Sequence, residues 1–405
     1  MKYVIVLTDG AADYPVASLG NRTPLETAQT PAMNDLAKHG ECGLVKTVPD
    51  SVKPGSDTAN LSVMGYDPTK CYTGRSPLEA VSMGIRLADD DVAMRCNLVT
   101  LSDTERFEDA VMVDYSAGEI TTEEATALIS AVAAELNTEN IHLYPGISYR
   151  HCLVLSHADT GTDCTPPHDI SGRPIADHLP NGRYGEMILD MMKRSREILR
   201  NHPVNVSRRE RGLHEATSCW FWGEGKRPSL QLFRELYGLS GTVISAVDLI
   251  KGIGLCAGFE SIDVDGATGT LDTNFEGKTA AAIDALKRGR DFVYIHLEGP
   301  DECGHHADIE GKITAIERID ARVLKPVLAY LKECGEPYTV MVLPDHPTPV
   351  STMTHARDSV PFVIYRSEGS DGTHTAEAYD ERHAAETGLT VPDGPSLMRH
   401  FLGKN

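Results

Sequence analysis

The chain has 405 residues, 41% apolar and 24% charged, with 35 Gly and 23 Pro spread along its length, an ordinary globular composition with room for two or three domains. Its 38 basic against 59 acidic residues leave a net charge of −21, which argues against nucleic-acid and anionic-membrane partners. No apolar run approaches the ~20 residues of a membrane span, and the nine cysteines contain no Cys-x-x-Cys, which speaks against both a disulfide framework and a cysteine-rich zinc site. Met1-Lys2 leads directly into an apolar run without a cleavable-signal pattern, so a reducing, cytoplasmic setting is expected.

Lys2 to Thr8 reads as the first strand and Pro31 to His39 as a helix, with proline in its first turn and Gly40 at its end. Between about residues 90 and 180 the texture changes. Val92 to Leu101, Ala110 to Tyr115 and Ser148 to Ser156 read as strands and Thr121 to Leu136 as a helix, which predicts a small α+β domain over 91–179 inserted into a core of 1–90 and 180–405. Beyond it, strands are expected at Thr242 to Ala246, Asp291 to Leu297, Tyr338 to Leu343 and Pro361 to Tyr365. Helices are expected at Glu276 to Lys287 and Ile309 to Lys332, the latter with Ile313, Ile316, Ile319, Val323, Val327 and Leu331 on one face. Alternating strands and helices predict an α/β core, a doubly wound and mainly parallel sheet.

Three of these strands run into ligand-type residues: Leu7-Thr8-Asp9-Gly10, Ile295-His296-Leu297-Glu298-Gly299-Pro300-Asp301 with His305 four residues on, and Leu343-Pro344-Asp345-His346. The carboxyl ends of parallel strands share one edge, so groups 300 residues apart can meet in one crevice there. A strand-end Asp alone is usually a turn or cap, and a lone His is usually structural. Together with His355 they form a set of carboxylates and imidazoles without thiolate, suited to two divalent cations such as Mn²⁺ or Zn²⁺, with Mg²⁺ less natural. Pro54-Gly55 predicts a turn and Ser56 an N-cap, with a short helix to Gly65. A serine at a helix N-terminus beside a cation is a candidate nucleophile, because both the helix end and the ion stabilise its alkoxide.

Asp9-Gly10, Pro54-Gly55-Ser56-Asp57-Thr58-Ala59-Asn60, Asp301-x-x-x-His305, Asp345-His346 and His355 resemble the cofactor-independent phosphoglycerate mutases of the alkaline phosphatase superfamily. The segments Tyr72-Thr73-Gly74-Arg75, Arg95-Cys96-Asn97-Leu98, Tyr149-Arg150-His151 and His168-Asp169-Ile170-Ser171-Gly172 resemble its short archaeal-type branch. The resemblance covers nearly the whole chain. It implies an alkaline-phosphatase-like fold, one metal on Asp301, His305 and His355, and a second on Asp9, Asp345, His346 and the Ser56 hydroxyl. It also implies a phosphoserine intermediate at Ser56, no requirement for 2,3-bisphosphoglycerate, and an inserted domain that closes over the substrate.

A transferase must keep water from its phosphorylated serine, which gives such an insertion a purpose. Against the acidic background, Arg75, Arg95, Arg150, Arg173, His168 and Lys278 are the candidates to clamp a small phosphorylated acid. Gly277-Lys278-Thr279 lacks the first glycine of a P-loop, and Gly252-Ile253-Gly254 has its third glycine one residue late for a dinucleotide loop, so both are read as turns. Two functions remain. The first is interconversion of 2- and 3-phosphoglycerate; the alternative is a homoserine kinase-like phosphotransferase using ATP, since Trp220-Phe221-Trp222-Gly223-Glu224-Gly225-Lys226-Arg227-Pro228 resembles a bacterial subgroup proposed to have that activity. Nothing in the sequence sets the oligomeric state.

Overall fold

The computed structural model describes residues 1–369 and 372–404. The chain forms two compact units, one of residues 1–72 and 230–405 and the other of residues 73–229. The first unit is built on an eight-stranded sheet in the order Glu260–Ile262, Gly241–Ile244, Phe292–Leu297, Lys2–Thr8, Tyr338–Leu343, Val360–Arg366, Glu41–Val45, Thr390–Val391. The first five strands are parallel; Val360–Arg366 runs antiparallel to both its neighbours. Lys2–Thr8 is apolar on both faces because both are covered. On one side Val4, Val6, Val293, Ile295 and Val340 meet the helices Pro31–His39, Phe275–Lys287 and Ile309–Ile319. On the other, Tyr3 and Phe292 meet Phe401 of the helix Gly394–Phe401, and the helix Ser56–Val63 lies against Asp248–Cys256 and Gly394–Phe401. This is the doubly wound arrangement expected.

The expected helix over 309–332 is present but not uniform. Ile309–Ile319 passes into a π-helical stretch at Asp320–Leu324 before Lys325–Glu333. Pro326, just beyond it, has no N–H for the i−4 ladder, and a wider turn absorbs that loss. Asp320 uses the spot to accept the amides of Met33 (2.7 Å) and Ala32 (3.2 Å), capping the Pro31–His39 helix from a distance in sequence.

The second unit centres on Val92–Leu101, which pairs antiparallel with Met112–Asp114, Arg150–Leu155 and Ser218–Lys226; Ile141–Tyr144 extends the sheet. Met94, Cys96, Leu98, Leu153 and Phe221 form its core with Leu128, Ile129 and Val132 of one helix and Ile188 and Met192 of another. Its limits correct the expected insertion of 91–179. The strand Ser218–Lys226 pairs along nearly the whole of Val92–Leu101, and the helix Ser76–Ser82 contacts the same strands, so both flanks belong to this unit. Two supposed turns are also corrected: Gly252–Gly254 lies inside the helix Asp248–Cys256, and Gly277–Thr279 inside Phe275–Lys287.

Candidate active site

Register puts the ends of three parallel strands at one edge, since Thr8 faces Leu297 and Leu7 faces Leu343. Asp9, Glu298 and Asp345 therefore leave the sheet side by side. Gly10 turns the chain immediately after Asp9 with a φ of +65°, and a β-carbon on it would sit 2.6 Å from the Asp301 Cα. Its absence lets Asp9 approach the Gly299–His305 helix, where Asp301 and His305 share a face at i and i+4. The Gly10 amide donates to Asp345 Oδ1 at 3.2 Å, tying the first strand end to the third.

Two groups of ligand-type atoms result. In the first, His305 Nε2 is 3.3 Å from Asp301 Oδ2, His355 Nε2 is 3.5 Å from Asp301 Oδ1, and the two Nε2 atoms are 2.9 Å apart. His305 Nδ1 lies 3.0 Å from the Met353 carbonyl, which fixes a proton there and turns Nε2 toward the other ligand-type atoms. In the second, His346 Nε2 lies 3.4 Å from Asp345 Oδ2, 3.7 Å from Asp9 Oδ1 and 3.2 Å from Ser56 Oγ. Ser56 is the first residue of its helix rather than the expected cap; Gly55 occupies the cap position and leaves the hydroxyl to face His346. Asp9 Oδ1 is buried without a hydrogen-bond partner, and two imidazole Nε2 atoms meet at one point. An orphaned carboxylate oxygen and converging imidazole nitrogens fit a pair of divalent cations.

Electrostatics point the same way. Burial, with Asp345 and Asp301 nearby, raises the Asp9 carboxyl well above the usual carboxylate range. Asp301 is opposed by burial too, but its hydrogen bonds with His305 and His355 outweigh this and hold it well below that range. Its hydrogen bond in turn raises His305 to about 9. These groups crowd negative charge into a dehydrated space that bound cations would neutralise.

Several neighbours of the candidate ligands escaped sequence reasoning. Glu298, pushed up to about 8 chiefly by burial, groups with Asp9 and Asp301; its place between a strand end and Asp301 was the available signal. His296 is fully buried with Nε2 2.9 Å from Asp9 Oδ2 and Nδ1 3.1 Å from Ser245 Oγ, and burial lowers it to about 3, so it stands as a neutral imidazole orienting Asp9. Asn60 donates to Asp345 Oδ2 (2.7 Å) and to the Ser56 carbonyl (2.8 Å) while accepting from Tyr294 Oη (2.6 Å), linking the serine helix to Asp345. The Thr348 hydroxyl donates to Asp301 Oδ1.

The six substrate-clamp candidates divide. Lys278 is not in the inserted unit at all. It is buried in the core unit, where Nζ donates to the His296 carbonyl at 3.1 Å and burial lowers it to about 8. In the second unit Arg95 stacks on Trp222, 4.5 Å from the ring centroid, and His168 meets the same ring at 5.2 Å. Arg150 lies over Tyr149, which packs on Tyr115, itself in contact with His168. Trp222 Nε1 donates to Asn97 Oδ1 at 3.0 Å and so fixes the indole under Arg95. The Arg95 fork is already engaged, Nε and Nη2 both donating to Glu79, because the Ser76–Ser82 helix contacts this strand. Arg150 and Arg173 are exposed and enter no ion pair among the described residues. Arg75 lies at the start of the Ser76–Ser82 helix, and among the described residues Arg173 makes no contact with the aromatic group.

Residues 37–205 match the family model described as 2,3-bisphosphoglycerate-independent phosphoglycerate mutase. The enzyme of that name from Methanosarcina barkeri is 52% identical over 98% of both chains. The probable one from Geobacter sulfurreducens is 48% identical over 100% of both. Among solved structures, the cofactor-independent phosphoglycerate mutase from Thermoplasma acidophilum is 26% identical with a TM-score of 0.68, covering 100% of this chain and 99% of that one. The PH0037 protein from Pyrococcus horikoshii is 28% identical with a TM-score of 0.81, covering 100% and 98%.

Proposed function

The chain belongs to the 2,3-bisphosphoglycerate-independent phosphoglycerate mutase family, and from that membership we propose that it interconverts 2- and 3-phosphoglycerate through a phosphoserine at Ser56. The observation that carries the reading is the Ser56 hydroxyl at a helix start, 3.2 Å from His346 Nε2 and beside two groups of ligand atoms at one sheet edge. Asp301, His305 and His355 would hold one divalent cation, and Asp9, Asp345, His346 and Ser56 Oγ the other. Bound there, Mn²⁺ or Zn²⁺, with Mg²⁺ as the third choice, would supply Lewis acidity that lowers the serine pKa and offsets phosphoryl charge.

Ser56 Oγ loses its proton and attacks phosphorus, forming the Ser56 O–P bond as the bond from phosphorus to the glycerate oxygen breaks. That oxygen takes up a proton. The neighbouring glycerate hydroxyl then gives up its proton and attacks the phosphoserine, and Ser56 recovers its own. The glycerate stays bound between the two transfers and takes back the same phosphoryl group, so no free bisphosphoglycerate is needed. His296 keeps Asp9 oriented, and Asn60 keeps the serine helix in register with Asp345. Arg150, Arg173 and His168 are the groups we assign to the substrate's carboxylate and phosphate; Arg95, satisfied by Glu79, keeps the Trp222 face in place.

Ser56→Ala is expected to remove phosphoglycerate turnover, and trapping wild-type protein with substrate should place phosphate on the peptide containing Ser56 by mass spectrometry. Label on a histidine would overturn the proposal. ATP-dependent phosphorylation of homoserine with negligible mutase turnover would replace it with the kinase alternative.

A further inference from the structure

A lysine seven residues beyond His305 lies in the protein interior with no exposed surface. Lys312 Nζ is 2.7 Å from Asp13 Oδ2, 2.8 Å from the Thr348 carbonyl and 3.3 Å from the Ala12 carbonyl. An ammonium has three donors and here each has one acceptor. The Asp13 carboxylate is equally engaged: Oδ2 also accepts the Val350 amide at 3.1 Å, and Oδ1 the Tyr14 amide at 2.8 Å. Both side chains of the pair are completely dehydrated.

The acceptors come from the segments that carry the candidate metal ligands. Ala12 and Asp13 follow Asp9 on the turn out of the first strand. Thr348 and Val350 sit between His346 and His355. Lys312 itself belongs to Ile309–Ile319, directly after the helix with Asp301 and His305. Thr348 is shared by both sides, its carbonyl on Lys312 and its hydroxyl on Asp301 and within 3.2 Å of His346 Nδ1. A single ammonium thus adds a buried three-way tie to segments that are otherwise linked by single contacts, such as the Gly10 amide on Asp345, the Thr348 hydroxyl on Asp301 and His305 Nδ1 on the Met353 carbonyl.

A fully buried ion pair is a poor source of net stability, because dehydrating two charges cancels most of their attraction and apolar replacements are often neutral or better. What such a pair supplies is a defined separation, since both partners must be met in one geometry. We infer that Lys312, with Asp13, is a positioning residue that sets the spacing of the two metal sites through the Asp9 turn, the Asp301 helix and the 346–355 loop. The inference rests on the two-cation reading above.

The test compares wild type, Lys312→Met and the uncharged pair Lys312→Met/Asp13→Asn, each stripped with chelator and titrated with Mn²⁺ alone, with no substrate present. Bound Mn²⁺ is counted by electron paramagnetic resonance, whose spectrum also reports the separation of two neighbouring ions. Thermal unfolding of the metal-free proteins is measured in parallel. The uncharged pair covers the case in which Lys312→Met alone, left with a buried lone carboxylate, does not fold. Expected is a tenfold or greater weakening of Mn²⁺ binding and a changed two-ion spectrum in whichever variant folds, with the metal-free midpoint of the uncharged pair near that of wild type. A loss of thermal stability with wild-type affinity and spectrum would overturn the inference alone, since that is what a merely structural pair would give. Wild-type protein that takes up no pair of Mn²⁺ ions would overturn it together with the two-cation reading.

Discussion

Replacing Gly10 by alanine tests how closely the Asp9 turn and the Asp301 helix must meet. The new methyl would lie 2.6 Å from Asp301 Cα and 2.7 Å from its Cβ and Oδ1. Carbon atoms rest at about 3.5–4.0 Å, so the turn and the helix must part by about 1 Å. The left-handed backbone adds a strain of roughly 1–2 kcal/mol for any residue with a β-carbon. Gly20 has nearly the same φ, +69°, with nothing within 4 Å of the position its β-carbon would take, so Gly20→Ala carries the strain without the displacement. Both variants should lose a similar few degrees of thermal midpoint to strain, with a further drop in Gly10→Ala. Only Gly10→Ala should lose metal affinity, and its kcat/KM should fall about 10²-fold, the usual cost of moving reacting groups by ~1 Å. The measurements are Mn²⁺ titration and a coupled assay of phosphoglycerate interconversion. Wild-type affinity and turnover in Gly10→Ala would refute the claim that this close approach sets the site.

Three other outcomes are expected. Between about pH 6.5 and 8 the metal-free protein should become less stable as pH rises, because His305, raised to about 9, and Glu298, raised to about 8, hold protons in the folded state that the unfolded chain has released; thermal unfolding in chelator across that range checks the sign, and saturating Mn²⁺ should reverse it by favouring the deprotonated ligands. Asn60→Ala strands Tyr294 Oη and Asp345 Oδ2 in a buried setting and should destabilise by roughly 2–5 kcal/mol, Tyr294→Phe by about 1–3 kcal/mol, measured by denaturant unfolding. Arg150→Ala should raise the KM for phosphoglycerate by about 10- to 100-fold while leaving Mn²⁺ affinity unchanged; an unchanged KM would remove Arg150 from substrate recognition.

Legibility in the sequence followed the range of the interaction. Strands covered on both faces appear as unbroken apolar runs, which is why Lys2–Thr8 and Tyr338–Leu343 lie where expected. Ligand-type residues at the ends of parallel strands could be read because the sheet itself brings those ends together. Glu41–Val45 was not expected, since a short Glu-Cys-Gly-Leu-Val segment carries no periodicity and takes its order from its neighbours. The limits of the inserted unit were missed because they depend on Ser218–Lys226 finding Val92–Leu101 more than a hundred residues away. The same distance hides Asp13 from Lys312, and the 16 residues between Glu79 and Arg95 fall on different elements, a helix and a strand, whose contact only the fold sets. A basic residue in the sequence announces a charge, but only the fold shows whether that charge is already satisfied.

The inserted unit closes its own seam. The Thr73 hydroxyl, at its entry, donates to the carbonyl of Lys226, near its exit, and a β-carbon on Gly225 would press against the Thr73 carbonyl. Entry and exit therefore lie side by side, which is the circumstance under which a polypeptide module can be removed, transplanted or replaced without threading or stretching its host. The candidate metal ligands all belong to the host and the aromatic-backed arginines to the guest. Chimeras joined at this seam could carry one phosphoryl-transfer chemistry to different hydroxyl acceptors, with acceptor choice inherited as a cassette.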